Sequence, residues 1–222
     1  MKSLISLINV KLFPRREFSS SNYWNERYQS GGNSGPGSYG ELAKFKAGVL
    51  NRFVTDNSIA SVIEFGCGDG HQLTLAQYPR YAGYDISPVA VEACRALFGD
   101  DDSKRFFLSQ EYDGRKADLA ISIDVVFHLT EDTVFDAYMR RLFDASLRHV
   151  IIYSSNQDEP IEPVSNHVRH RRFTDWIDRE IPSNWALVDR IKNAFPYTGD
   201  YQSTSFSDFF IYGKLNTGGT ES

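Results

Sequence analysis

The run Val62-Ile63-Glu64-Phe65, followed at once by Gly66-Cys67-Gly68-Asp69-Gly70, constrains this chain more than any other stretch. Residues 61–65 are β-rich and largely apolar, which reads as a short strand. Glycine at alternate positions then ends it in a turn. A strand that breaks on glycine and opens a helix, here predicted to start over residues 73–77, brings bare backbone close to a ligand with N–H groups pointing at it. Nucleotide-like ligands sit at such turns. The spacing is Gly-x-Gly-x-Gly. The dinucleotide fingerprint G-x-G-x-x-G needs glycine where His71 stands, so the pyrophosphate reading loses ground.

Strands and helices alternate around this turn. Apolar residues at helical spacing (Leu42, Phe45, Val49, Leu50, Phe53) predict a helix over 41–54 that leads into the first strand. Residues 81–84 form a second β-rich run, closed by Asp85. Ser87-Pro88 then starts a helix over 89–97, with proline at its first position. Strands follow at 105–108, 118–123 and 149–154, with helical spacing at Val134, Tyr138 and Leu142 between the last two. Such alternation implies a parallel α/β sheet. Residues 185–192 and 205–214 are two β-rich runs joined only by a turn-rich connector, which predicts an antiparallel pair. At 222 residues with 41% hydrophobic side chains, one domain is expected over 23–215, between an amphipathic extension at 1–22 and a polar tail at 216–222.

Asp85 ends the second strand, where a carboxylate accepts hydrogen bonds from ribose hydroxyls in nucleoside-binding members of this architecture, and Ile86 beside it could pack on an adenine face. A purely structural turn, with Asp85 capping the next helix, explains each piece singly but not their conjunction. The stretch Val62 to Gly70 resembles motif I of class I S-adenosylmethionine-dependent methyltransferases. Asp85 matches that family's ribose-binding acid, and Asp118-Leu119-Ala120-Ile121-Ser122-Ile123-Asp124-Val125-Val126-Phe127-His128-Leu129 resembles its fourth strand.

The resemblance implies a Rossmann-like class I methyltransferase fold. Its sheet would be seven-stranded and mostly parallel, closing with an antiparallel hairpin, with helices on both faces. It also implies S-adenosylmethionine as cofactor, met by Glu64, Phe65, Gly66, Cys67, Gly68 and Gly70 in the turn. Gly66 and Gly68 would lie against the methionine part. Ser109, Gln110 and Glu111 would neighbour the adenine, and Asp124, with Val125, the amino group. Gln110 stands where many relatives carry an acid.

Upstream, Tyr23-Trp24-Asn25-Glu26-Arg27-Tyr28 and the glycine-rich residues 31–40 are similar to a subgroup of small bacterial methyltransferases, several linked with surface-polysaccharide and other glycan pathways. As chemistry, Tyr23, Trp24 and Tyr28 could wall off a sulfonium, and Arg27 or Lys46 could meet the cofactor carboxylate. The glycine segment, with Tyr39 facing the substrate, is predicted to fold over the site as a lid; its alternative is a flexible linker.

Methyl transfer to a hydroxyl needs alignment and a base. His128, just past the fourth strand, and His167 and His170, after the fifth, are the candidates, with a packing role and a solvated basic loop as their respective alternatives. Arg169 and Arg171 suit an anionic acceptor through paired hydrogen bonds, unless the charge is balanced by Asp158 and Glu159. The expected activity is methylation of an oxygen on a sugar or other small polar acceptor. The rivals are a nitrogen or protein side-chain acceptor, a non-catalytic nucleotide-binding or S-adenosylmethionine-sensing module, and an NAD-dependent oxidoreductase.

A net charge of −5 provides no basic field for nucleic acid. The two cysteines, Cys67 and Cys94, lack paired spacing for a metal or disulfide framework, which reads as a reducing, cytoplasmic setting. Residues 1–18 mix apolar with basic side chains and are too short to span a bilayer. They are expected to pack on their own domain or on a second copy in a homodimer, with peripheral membrane contact and an organellar presequence as the alternatives.

Overall fold

The computed structural model describes residues 18–162 and 164–215. The segment at 1–17 and the tail at 216–222 lie outside the described residues, and with them most of the expected amphipathic extension. The element order is α1 (Ser20–Gln29), α2 (Gly40–Asp56), β1 (Val62–Phe65), β2 (Tyr81–Asp85), α3 (Pro88–Leu97), β3 (Lys104–Leu108), β4 (Ala117–Ile123), α4 (Asp132–Asp144), β5 (Ser146–Ser154), α5 (Phe173–Glu180), β6 (Trp185–Ile191) and β7 (Asp208–Lys214). Because α1 begins at Ser20, capped by the Ser19 hydroxyl accepting from Asn22 N–H, residues 20–22 belong to the folded domain rather than to the extension.

The strands form one sheet in the order β3-β2-β1-β4-β5-β7-β6. Strands β1 to β5 pair in parallel, and β7 runs antiparallel to both β5 and β6. Alternation along the strands sorts the core into two layers. Val150 and Ile152 face α4 and α5, packing with Phe135, Met139 and Trp176. Ile151 points the other way, toward Leu50 of α2 and Val91 of α3. All three strand residues are completely buried, each worth about 1.5–3 kcal/mol of transfer free energy. Their continuous apolar run is what a strand covered by helices on both faces requires.

The helix predicted after the glycine turn does not form. Gln72–Leu75 make a single 3-10 turn, and Ala76 is already extended. Asn51 of α2 stops it, donating from Nδ2 to the Leu75 carbonyl and accepting at Oδ1 from Gln77 N–H, and Pro79 bars any continuation. The connection from β1 to β2 is therefore held by α2. Helix α5 was not anticipated, although Phe173, Trp176 and Ile177 stand at helical spacing and all three are buried.

From β1 the chain winds outward through β2 to β3, and then returns to the far side of β1 for β4. At such a switch point the loops leaving the carboxyl ends of neighbouring strands part and leave a crevice. The loops after β1 and β4 flank it here.

Candidate active site

The turn after β1 folds as it does because no side chain could take its place. Gly66 and Gly68 have φ of +82° and +60°, the left-handed region that glycine alone enters freely. A Cβ on Gly66 would lie 2.4 Å from Val125 Cγ2, and one on Gly68 would lie 2.3 Å from Ser34 Oγ. Gly70 differs: its Cβ would meet Cys94 Sγ at 2.9 Å, so this glycine lets α3 pack and is not among the cavity-lining residues.

Gly68 N–H donates to Asp85 Oδ2 at 2.9 Å, and Ser87 N–H donates to Oδ1 at 2.9 Å. Burial raises the Asp85 carboxyl, while these N–H groups favour its ionised form. Each oxygen retains acceptor capacity for a ligand. Glu64 lies deeper; burial pushes it up to about 7, against a 2.7 Å hydrogen bond donated by Tyr81.

These groups line a cavity of about 390 Å³. Phe65, Gly66, Cys67 and Gly68 line it together with Asp85, Ile86 and Ser109. Val134, Ala137, Tyr138 and Arg141 of α4 line it too. Their contribution was missed from sequence, where only the periodicity of α4 was visible and not the face it would present. Gln110 and Glu111, expected beside adenine, do not line the cavity. The Glu111 carboxylate turns back to accept from Leu108 N–H at 2.7 Å, closing the short turn that follows β3.

The glycine-rich segment lies over the turn. Ser34 N–H donates to Asp69 Oδ2 at 2.9 Å, while Asp69 N–H donates to Ser34 Oγ at 3.0 Å, and Tyr28 Oη shares that hydroxyl at 2.9 Å. Tyr39 lines neither cavity. Its hydroxyl donates to Asp69 Oδ2 at 2.9 Å and its ring stacks on His71, so it anchors the segment. Burial pushes the Asp69 carboxyl up, but the N–H groups of Ser34 and His71 and the Tyr39 hydroxyl outweigh it and hold the group below its ordinary value.

Lys46 is 1% exposed and is spent on Asp124, Nζ to Oδ2 at 2.6 Å, with Nζ 5.3 Å from the centre of the Tyr153 ring. It therefore acts behind Asp124 and is not a wall of either cavity. Asp124 has φ of +57°, a costly value for a residue with a side chain, and Ser207 Oγ donates to its other oxygen at 3.2 Å. Arg27 donates from Nε to the Asn33 carbonyl at 2.6 Å and faces the second cavity only.

That second cavity, of about 350 Å³, shares Trp24, Ser34, Asp124 and His128 with the first. All three candidate histidines reach it, His128 on the shared wall and His167 and His170 beyond. His128 Nδ1 lies 2.8 Å from the His167 carbonyl. A carbonyl only accepts, so Nδ1 carries the proton and Nε2 of the neutral ring keeps its lone pair. Burial drives His128 down to about 3, which keeps it neutral at physiological pH. Burial also lowers His167 and His170, whose Nδ1 atoms meet Ser165 Oγ at 2.5 Å and Ser155 Oγ at 2.6 Å.

Arg169 and Arg171 line neither cavity. Each lies 3.0 Å from Asp132, and both donate to the Thr130 carbonyl, tying the segment after β5 to the start of α4. The partner is Asp132, not the neighbouring acids weighed from sequence, because α4 begins beside them in space. Arg172 is the one that meets Asp158. Among the described residues no group of three or more His, Cys, Asp or Glu side chains is placed to hold a metal, and no helix is long and apolar enough to cross a membrane.

A family described as "Methyltransferase domain" matches residues 40–189. Solved structures share the fold at low identity. The N-methyltransferase NodS from Bradyrhizobium japonicum WM9, in complex with S-adenosyl-L-homocysteine, superposes with a TM-score of 0.64 at 14% identity, covering 90% of this chain and 100% of that one. Magnesium protoporphyrin IX methyltransferase from Synechocystis PCC 6803 with bound SAH gives 0.62 at 14% identity, over 87% and 97% of the two chains. The methyltransferase domain of bacterial CtHen1-C gives 0.61 at 16% identity, over 79% and 100%. No curated protein is similar to the chain at a significant level.

Proposed function

The chain belongs to this methyltransferase-domain family, and from that premise we propose that it moves a methyl group from S-adenosylmethionine to a hydroxyl oxygen of a small acceptor held in the second cavity. The observation that carries the reading is the shared wall, on which one neutral histidine faces two adjoining cavities. A sugar hydroxyl, as suggested by the segment 23–40, is one member of that acceptor class.

The first cavity fits the cofactor by its chemistry. The bare backbone at Gly66 and Gly68 admits a chain that any Cβ would exclude, which suits the methionine part. Asp124, positioned by its 2.6 Å contact with Lys46, suits the ammonium group. Asp85 has acceptor capacity left for two ribose hydroxyls. Ile86 and the α4 face flank the adenine, with Ser109 beside them. When bound, S-adenosylmethionine supplies a sulfonium methyl whose carbon bonds to the acceptor oxygen as its bond to sulfur breaks and the electron pair leaves with sulfur.

His128 Nε2 accepts the hydroxyl proton as the oxygen attacks, and the His167 carbonyl holds the ring in that orientation. The segment 31–39, pinned through Ser34 and Tyr39 to Asp69, excludes water from the reacting atoms. The test pairs calorimetry with turnover. His128→Gln is expected to lower kcat by about 10²-fold or more, with S-adenosylhomocysteine affinity unchanged within about twofold. Normal turnover in that variant removes His128 as the base. Tight NAD binding with none of S-adenosylhomocysteine removes the cofactor reading.

A further inference from the structure

Resting on the reading above, we propose that the methyl acceptor is a planar hydroxyaromatic compound, its ring seated in the second cavity and its hydroxyl directed to the wall at His128. The cavity is built of rings. Tyr23 and His167 stack at 4.5 Å with 9° between their planes, and Phe206 packs edge-on against both Phe127 at 4.9 Å and His170 at 4.8 Å. Ile161, Val164 and Val168 extend the apolar lining. Offset and edge-to-face partners of this kind reward a flat, polarisable guest beyond its buried area.

A carbohydrate asks for something else. Its several hydroxyls need carboxylates and amides to pair with, since each one buried without a partner is costly. Among the described residues the only carboxylate lining the cavity is Asp124, already joined to Lys46, and no Glu, Asn or Gln side chain contributes to it. The Nδ1 atoms of His128, His167 and His170 are each committed to a protein oxygen. Away from the shared wall the polar lining is largely paired within the protein, Arg27 with the Asn33 carbonyl, Ser165 with His167, Thr204 with the Asp200 carbonyl and Ser205 with Ser207 N–H, which suits a guest that is polar at one end. The chemistry agrees: a phenolic hydroxyl has a pKa near 10, so its proton passes to a weakly basic imidazole far more readily than that of an aliphatic alcohol.

The probes are 2-naphthol and methyl α-D-glucopyranoside, titrated calorimetrically into the full chain saturated with S-adenosylhomocysteine. Methyl transfer from S-adenosylmethionine to each is then followed by mass spectrometry. The expected result is binding and O-methylation of 2-naphthol, and neither for the glucoside at 20-fold higher concentration. Phe206→Leu, which keeps an apolar side chain but removes the ring, is expected to weaken naphthol binding about 2- to 10-fold, with S-adenosylhomocysteine affinity within twofold of the parent.

A chain that binds S-adenosylhomocysteine and takes the glucoside but not naphthol overturns this inference alone, as does a Phe206→Leu variant with unchanged naphthol affinity. Failure to bind S-adenosylhomocysteine overturns the cofactor reading, and this inference with it.

Discussion

Replacing Gly68 with alanine tests the closest approach in the site. The new methyl would lie 2.3 Å from Ser34 Oγ and 3.3 Å from Ser34 Cβ, so the hydroxyl has to rotate away. Rotation severs its contacts with Tyr28 Oη and Asp69 N–H, worth about 1 kcal/mol each. Holding alanine at φ of +60° adds about 1 kcal/mol. The sum is about 3 kcal/mol, or roughly 6–12 °C in Tm for a domain of this size.

A double-mutant cycle separates the parts. In a Ser34→Gly background the clash with Ser34 and both hydrogen bonds are already gone, so Gly68→Ala should cost only the backbone strain of about 1 kcal/mol once Tyr28 Oη, 3.1 Å from the new methyl, gives by a few tenths of an ångström. The coupling is therefore about 2 kcal/mol, well above the scatter expected of independent sites. Urea unfolding of the four proteins measures it. If Gly68→Ala costs the same in both backgrounds to within about 0.5 kcal/mol, the segment 31–39 does not lie on the turn as described.

Asp85→Ala removes the carboxylate proposed to meet the ribose and should weaken S-adenosylhomocysteine binding about 10- to 100-fold, the value of one or two charge-assisted hydrogen bonds, as calorimetry reads directly. Replacing Arg169 and Arg171 together should lower Tm, because their ties to Asp132 and the Thr130 carbonyl are lost, while the acceptor's KM stays constant; a raised KM would return them to substrate binding. Glu64 binds its proton below about 7 in the folded chain but only below about 4.3 when unfolded. Its contribution to stability is thus present in full below about pH 4.3 and lost as pH rises toward 7, and Glu64→Gln should remove that part of the pH dependence in urea titrations between pH 5 and 7. An unchanged slope would mean that the carboxyl is not buried as described.

The predicted helix after Gly70 stops for two reasons, of which only Pro79 is visible in the local pattern. Leu73 to Gln77 have adequate helical character, but Asn51, on a different element, takes the Leu75 carbonyl and the Gln77 N–H. From sequence, the charge of Lys46 suits a cofactor carboxylate and Tyr39 lies in the glycine-rich segment predicted to cover the site. In the folded chain Asp69 and Asp124 claim them first. Arg169 and Arg171 were separated from any substrate in the same way, by an aspartate that heads a helix from an earlier part of the chain.

What the sequence determined by itself was the sheet and the turn. Burying a strand on both faces demands an unbroken apolar run such as that around Val150 to Ile152. A backbone forced to positive φ against a neighbouring side chain demands glycine, as at Gly66 and Gly68. The apolar run and the positive φ are local and written in consecutive residues, whereas the neighbours that crowd the glycines, Val125 and Ser34, come from elsewhere in the chain. The second cavity was decided only by tertiary structure. The carbonyl that fixes the His128 tautomer, the ring of Tyr23 stacked on His167, and the contact of Phe206 with Phe127 each join residues far apart in the chain. Spacing along a sequence says nothing about which of many compatible side chains will meet once the helices are packed.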